Sequence, residues 1–146
     1  MPRRPRITSE YLHIIVRGIG KQILFEDPSD NEQYLRCLKK YAAQEEISVP
    51  AYCLMENHVH LLVKDPRGAV SDFMKKTEVS YAGYFNRKYD RAGHLFQDRY
   101  KSENITEDSY LLTAFRYILN NPVKAGICGA AELRWSSYHE YGEKNG

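Results

Sequence analysis

The sequence predicts an α+β domain. Its sheet is antiparallel, in βαββαβ order, ferredoxin-like or RRM-like, with helices packed on it and an additional helix near the C-terminus. Three observations carry this reading. Strand-like and helix-like stretches alternate as strand, helix, strand, strand, helix, strand. Residues 11–17 alternate with the period of two that a half-buried strand needs, and two stretches from Tyr34 and Val70 repeat their apolar residues at helical spacing.

Taken in order, the arm Met1 to Arg6 carries two prolines and three arginines and precedes the first element. Tyr11 to Arg17 is the first strand, with His13 a strand histidine rather than a ligand, and Gly18 and Gly20 mark its end. Ser29-Asp30-Asn31-Glu32 fits the Ser-x-x-Glu capping box, so the first helix is expected to start there. Tyr34, Leu35, Leu38, Tyr41 and Ala42 continue it to about Glu46. Val49 to Met55 is β-branched and apolar, turns at Glu56-Asn57, and returns as an apolar strand to Lys64. After Asp65-Pro66-Arg67-Gly68, a second helix sets Val70, Phe73, Met74, Thr77 and Tyr81 on one side and Lys75 and Lys76 on the other. Leu95 to Ile105 is expected to be the fourth strand, with Phe96 and Tyr100 alternating against Gln97, Arg99 and Lys101. Thr106, followed by Glu107 and Asp108, suits the start of a third helix. Trp135 in the tail reads as a packing anchor.

The 146 residues fit a single domain, 1–146, with one core. A net charge of +2 gives no argument from bulk basicity, but bases gather in the N-terminal arm, at Lys75-Lys76 and from Arg87 to Lys101. That distribution suits a polyanion held on one side, or an ordinary solvated surface. Cys37, Cys53 and Cys128 are too few and too scattered for a disulfide framework or a zinc ribbon. With no signal peptide and no bilayer-length apolar run, no membrane association is expected and the cytoplasm is the expected compartment.

Chemistry concentrates in His58-Val59-His60. In a strand the two imidazoles share one face while Val59, Leu61 and Val63 point to the other. Such a pair can converge on one divalent ion, or simply be two strand histidines with separate hydrogen bonds. On the third helix Leu111, Leu112, Phe115, Ile118 and Leu119 form the apolar stripe. Tyr110, Thr113, Tyr117 and Asn121 fall opposite it, where packing does not require a tyrosine.

Three stretches together make a pattern: His58-Val59-His60 with its apolar strand, Gly93-His94-Leu95-Phe96-Gln97-Asp98-Arg99-Tyr100, and Tyr117-Ile118-Leu119-Asn120-Asn121-Pro122-Val123-Lys124. The chain resembles the single-tyrosine, HUH-type transposases of bacterial insertion sequences. With Trp135-Ser136-Ser137-Tyr138 it is most similar to the REP-associated tyrosine transposases. The resemblance spans nearly the whole chain in order. It implies a metal-dependent, single-strand DNA endonuclease and transposase that cleaves and rejoins hairpin-forming DNA through a 5′-phosphotyrosine. His58 and His60 would bind Mg²⁺ or Mn²⁺, and Tyr117, on the late helix, would be the nucleophile. Insertion-sequence relatives place a glutamine four residues after the tyrosine as third ligand. This chain has Asn121 there, a shorter amide whose carbonyl a hard cation still accepts. Arg3, Arg4, Arg6, Arg99 and Lys101 are the expected phosphate contacts. Because the phosphotyrosine conserves the bond energy, no nucleotide cofactor is implied. Transfer between two ends implies a homodimer.

Two other classes fit parts of the pattern. A non-catalytic RRM-like nucleic-acid binder shares the element order, but it carries aromatic pairs where this chain has His58 and His60. A hydrolytic metallonuclease would use water in place of Tyr117. A relative recruited to a host task is compatible with every residue.

Overall fold

The computed structural model describes residues 11–105. Strand β1 spans Tyr11–Arg17, helix α1 Pro28–Glu45, β2 Ser48–Leu54, β3 His58–Lys64, α2 Val70–Lys88 and β4 Lys101–Ile105. A single 3₁₀ turn, Ile19–Lys21, follows β1. The strands form one sheet in the order β2-β3-β1-β4, with every neighbouring pair antiparallel. This is the expected ferredoxin-like arrangement, and it puts the histidine-bearing β3 in the middle of the sheet.

Alternation along the two central strands divides the apolar residues between two faces. Ile14, Val16, Val59, Leu61 and Val63 join Tyr34, Cys37 and Leu38 of α1 and Phe73, Met74, Tyr81 and Phe85 of α2 in the main core. A smaller cluster, Ala51, Cys53, Met55, Leu62 and Ile105, lies on the other face with the histidines. Cys37 and Cys53 are both buried. Pro50 sits in β2, an edge strand of this sheet, where the ladder slips between Ser48 and Ala51; an edge tolerates the missing donor. The Glu56-Asn57 corner forms as expected, closed by Met55 N–H donating to His58 O at 2.8 Å.

Two local expectations need correction. Helix α1 starts at Pro28, with Asp27 as N-cap and Asp30, not Glu32, closing the capping box. Pro28 is suited to the first helical position because its fixed φ is helical and it has no N–H to leave unpaired. The helix ends at Glu45, with Glu46 in the left-handed region at φ 59°. The fourth strand is the other correction. It covers only Lys101–Ile105; Leu95 and Phe96 are buried in the core, but Phe96 makes only an isolated bridge to Gly18. The chain takes five steps from Phe96 to Lys101 while β1 takes three from Gly18 to Ile15, so the ladder must break between them.

Helix α2 has Asp65 as its brace. Its carboxylate accepts from Ala69 N and Val70 N, both at 2.9 Å, satisfying orphan donors of the first turn. Gly68 (φ 72°) makes the turn that brings Asp65 there. Among the described residues no helix is long and apolar enough to cross a membrane.

Candidate metal and nucleic-acid site

The sheet's second face is ordered by register. Arg17 of β1 lies opposite His58 of β3. One row further, Lys101, Ile15, His60 and Cys53 run across all four strands. In the next row Glu103, His13, Leu62 and Ala51 follow. Three histidines thus share one face within three successive rows, although His13 is 47 residues from His60 in the chain.

The ring centroids of His58 and His60 are 5.1 Å apart at an interplanar angle of 76°. His58 is half-buried and His60 is 4% exposed. Each has its Nδ1 engaged by a neighbour. His58 Nδ1 is 3.0 Å from Asn57 Oδ1, so with the amide oxygen as acceptor it carries the proton. His60 Nδ1 is 3.3 Å from His13 Nε2, and the two rings stack with centroids 5.5 Å apart. Burial pushes the pKa of His58 down, and the Arg17 guanidinium pushes it further. His60 is lowered to about 3 by burial first, then by His58, His13 and Arg17. Burial also lowers His13, opposed by the Glu103 carboxylate. All three imidazoles are therefore neutral at pH 7, the state in which a histidine can ligate a metal.

This donor set fits a divalent ion in part. His58, with its Nδ1 on Asn57, offers Nε2 as ligating atom, and His60 does so when its Nδ1 carries the proton shared with His13. Rings 5.1 Å apart can then both reach an ion about 2.1 Å from each nitrogen. Among the described residues no group of three or more His, Cys, Asp and Glu side chains could hold a metal. Two histidines thus need ligands from elsewhere. The expected third ligand, Asn121, lies outside the described residues, as do Tyr117, Arg3, Arg4 and Arg6.

Of the two described phosphate candidates, Lys101 is exposed on the histidine face, with Ile15 between it and His60. Arg99 is exposed in the interruption before β4, outside the strand in which it was expected. Sequence reasoning missed Arg17 and the proximity of His13 to His60. Both share the parity of β1 residues facing away from the core, which is a signal for the face. Their neighbours on β3 depend on register, which local sequence does not carry.

A ferredoxin-like α+β domain with paired neutral histidines and an arginine on one sheet face is the class that fold and site define. Residues 6–121 match the family model described as "Transposase IS200 like". The chain belongs to the IS200-like transposase family, whose members process DNA. No curated protein sequence matches it. Among solved structures it is similar to a REP-associated tyrosine transposase bound to a REP hairpin, with TM-score 0.79 and 16% identity over 96% of this chain and 83% of that one. It is also similar to a putative transposase from Deinococcus radiodurans R1, with TM-score 0.53 and 21% identity over 82% of this chain and 96% of that one.

Proposed function

We propose that this transposase cleaves and rejoins single-stranded DNA at hairpin-forming, REP-like sequences through a 5′-phosphotyrosine on Tyr117. The observation that carries the reading is the pair His58 and His60. Both are neutral, both have Nδ1 engaged, and both stand beside Arg17 in a chain of the IS200-like transposase family. The hairpin substrate is supported by the fold-level likeness to a transposase bound to such a hairpin.

His58 and His60, with Asn121 as third ligand, would hold Mg²⁺ or Mn²⁺; the two imidazoles match Mn²⁺ better by ligand softness. Bound there, the ion supplies Lewis-acid polarisation of the scissile phosphate. Arg17 neutralises a phosphate oxygen beside His58, and Lys101, Arg99 and the Arg3-Arg4-Arg6 arm hold neighbouring phosphates. The Tyr117 hydroxyl gives up its proton and attacks phosphorus. The new O–P bond forms as the P–O3′ bond breaks, and the departing 3′ oxygen takes up a proton. Attack by a 3′-hydroxyl on the phosphotyrosine reverses the step and needs no nucleotide cofactor.

Labelled hairpin DNA, Mn²⁺ and a denaturing gel test this. Tyr117→Phe is expected to bind the hairpin but to lose both cleavage and the covalent adduct. Tyr110→Phe, seven residues earlier and on the same face of the helix expected from the sequence, is expected to stay active. His58→Ala is expected to lose cleavage. An adduct that persists in Tyr117→Phe moves the nucleophile elsewhere, while cleavage without any adduct makes the protein a hydrolytic metallonuclease.

A further inference from the structure

We propose that His13 is a positioning residue for His60: as the acceptor of the His60 Nδ1 proton, with Glu103 behind it, it fixes the tautomer that turns the Nε2 lone pair of His60 toward the metal. This rests on the metal-binding reading of His58 and His60 and extends it to a third histidine that spacing along the chain does not connect with them.

Register puts the three residues in line. His13 faces Glu103 on one side and Leu62 on the other, one row from the Ile15–His60 pair. Diagonal neighbours on one sheet face lie within reach of aromatic side chains. His13 Nε2 accordingly comes 3.3 Å from His60 Nδ1, in a buried position. Only one proton can occupy that contact. If His13 Nε2 carries it, His60 must be protonated at Nε2 and loses the lone pair a metal needs. If His60 Nδ1 carries it, His60 Nε2 becomes the ligating atom.

The charge of Glu103 biases the choice between these two. Its Oε1 lies 4.0 Å from His13 Nδ1. A carboxylate at that side favours the His13 tautomer with its proton on Nδ1, leaving Nε2 as acceptor. The order of polarity then runs Glu103, His13, His60. Each group biases the next, as the outer carboxylate and carbonyl partners of ligating histidines generally do. Asn57 plays the matching part for His58 through Oδ1, so both imidazoles present the same atom.

The alternative is that His13 matters only as a flat ring stacked on His60 at an interplanar angle of 28°. Two substitutions give opposite answers. His13→Phe keeps a ring and removes the acceptor; His13→Gln removes the ring and keeps an acceptor oxygen. Titration of the purified full-length protein with Mn²⁺, followed by the electron-spin signal of the free ion, is the readout. His13→Phe is expected to weaken Mn²⁺ binding by roughly 10- to 100-fold, with His13→Gln much closer to wild type. The reverse order would overturn the proposal in favour of stacking. Glu103→Gln is an exposed change on β4 that leaves the core untouched, so it stands if the His13 variants fail to fold. It is expected to weaken binding by about 3-fold or more; unchanged affinity would remove Glu103 from the relay.

A second readout needs no metal. Long-range ¹⁵N–¹H spectra of the imidazoles in the metal-free protein are expected to show His60 protonated at Nδ1 and His13 at Nδ1. His60 protonated at Nε2 would overturn the proposal outright. If the spectra agree but the wild-type protein takes up no Mn²⁺, the metal-binding function fails and the tautomer assignment remains.

Discussion

Asp30 has no exposed surface, yet it is a carboxylate, and its partners explain why it stays charged. It accepts from Lys88 Nζ at 2.8 Å, Tyr84 Oη at 2.7 Å, Tyr89 Oη at 2.6 Å and Glu26 N at 2.9 Å. Burial alone would raise its pKa, but the hydrogen bonds from Lys88, Tyr89, Tyr84 and Glu26 together outweigh it and hold the carboxyl below the usual range. The group is thus more acidic folded than unfolded, where a carboxylate titrates near about 3.9. Its contribution to stability is fully present above that value and is lost as pH falls through the lower, folded value. Thermal melts between about pH 6 and pH 2 are expected to show this loss in the wild type and a flatter acid limb in Asp30→Asn. A variant as acid-sensitive as the parent would assign the loss to other carboxylates. The same residue shows why Ser29 misled as the helix start. The Ser-x-x-Glu pattern was legible, but Lys88, Tyr84 and Tyr89, more than fifty residues away, tie Asp30 into the box that Asp27 begins.

At the scale of elements, the turn after β1 determines how the site is framed. Gly18 N–H donates to Asn57 O at 3.0 Å, linking the end of β1 to the corner before His58. Its φ is an ordinary −70°, so its need for glycine is spatial. A Cβ there would stand 2.2 Å from the Gln22 carbonyl oxygen, a backbone atom that cannot rotate away. Gly20 is the opposite case, with φ 56° and open space around it. Gly18→Ala is therefore expected to cost about 1–3 kcal/mol by displacing the Ile19–Lys21 turn. Gly20→Asn is expected to be nearly neutral, because asparagine tolerates left-handed backbone. Urea unfolding with an unchanged slope checks both, and equal losses would mean the collision at Gly18 relaxes cheaply. Both glycines were legible as the end of β1, but not which of them was crowded. The same turn explains the short β4: Ile19 N–H donates to Leu95 O and Gln97 N–H to Arg17 O, so residues 95–97 follow the turn rather than a straight ladder.

For the whole molecule, element order and face assignment were legible because periodicity is local: His58 and His60 do lie on a central strand, with Val59, Leu61 and Val63 in the core. What local pattern could not carry was register, and the approach of Arg17 and His13 to the pair follows from register alone. Assembly is a further step removed from local pattern, and it follows from the proposed chemistry. Moving a strand between two ends needs two covalent ends held at once, while each chain offers one Tyr117. A homodimer is therefore expected, with a mass by light scattering of twice the 17.0 kDa chain, free and on hairpin DNA. A monomer in both conditions would defeat this. Mixing Tyr117→Phe and His58→Ala, each expected to be inactive alone, then tests how such a dimer is wired. If each site takes its tyrosine from the other subunit, mixed dimers combine the intact histidines of one chain with the intact tyrosine of its partner, and cleavage returns. If each site is complete within one chain, every subunit in the mixture lacks either its nucleophile or its metal ligand, and no mixing ratio restores cleavage.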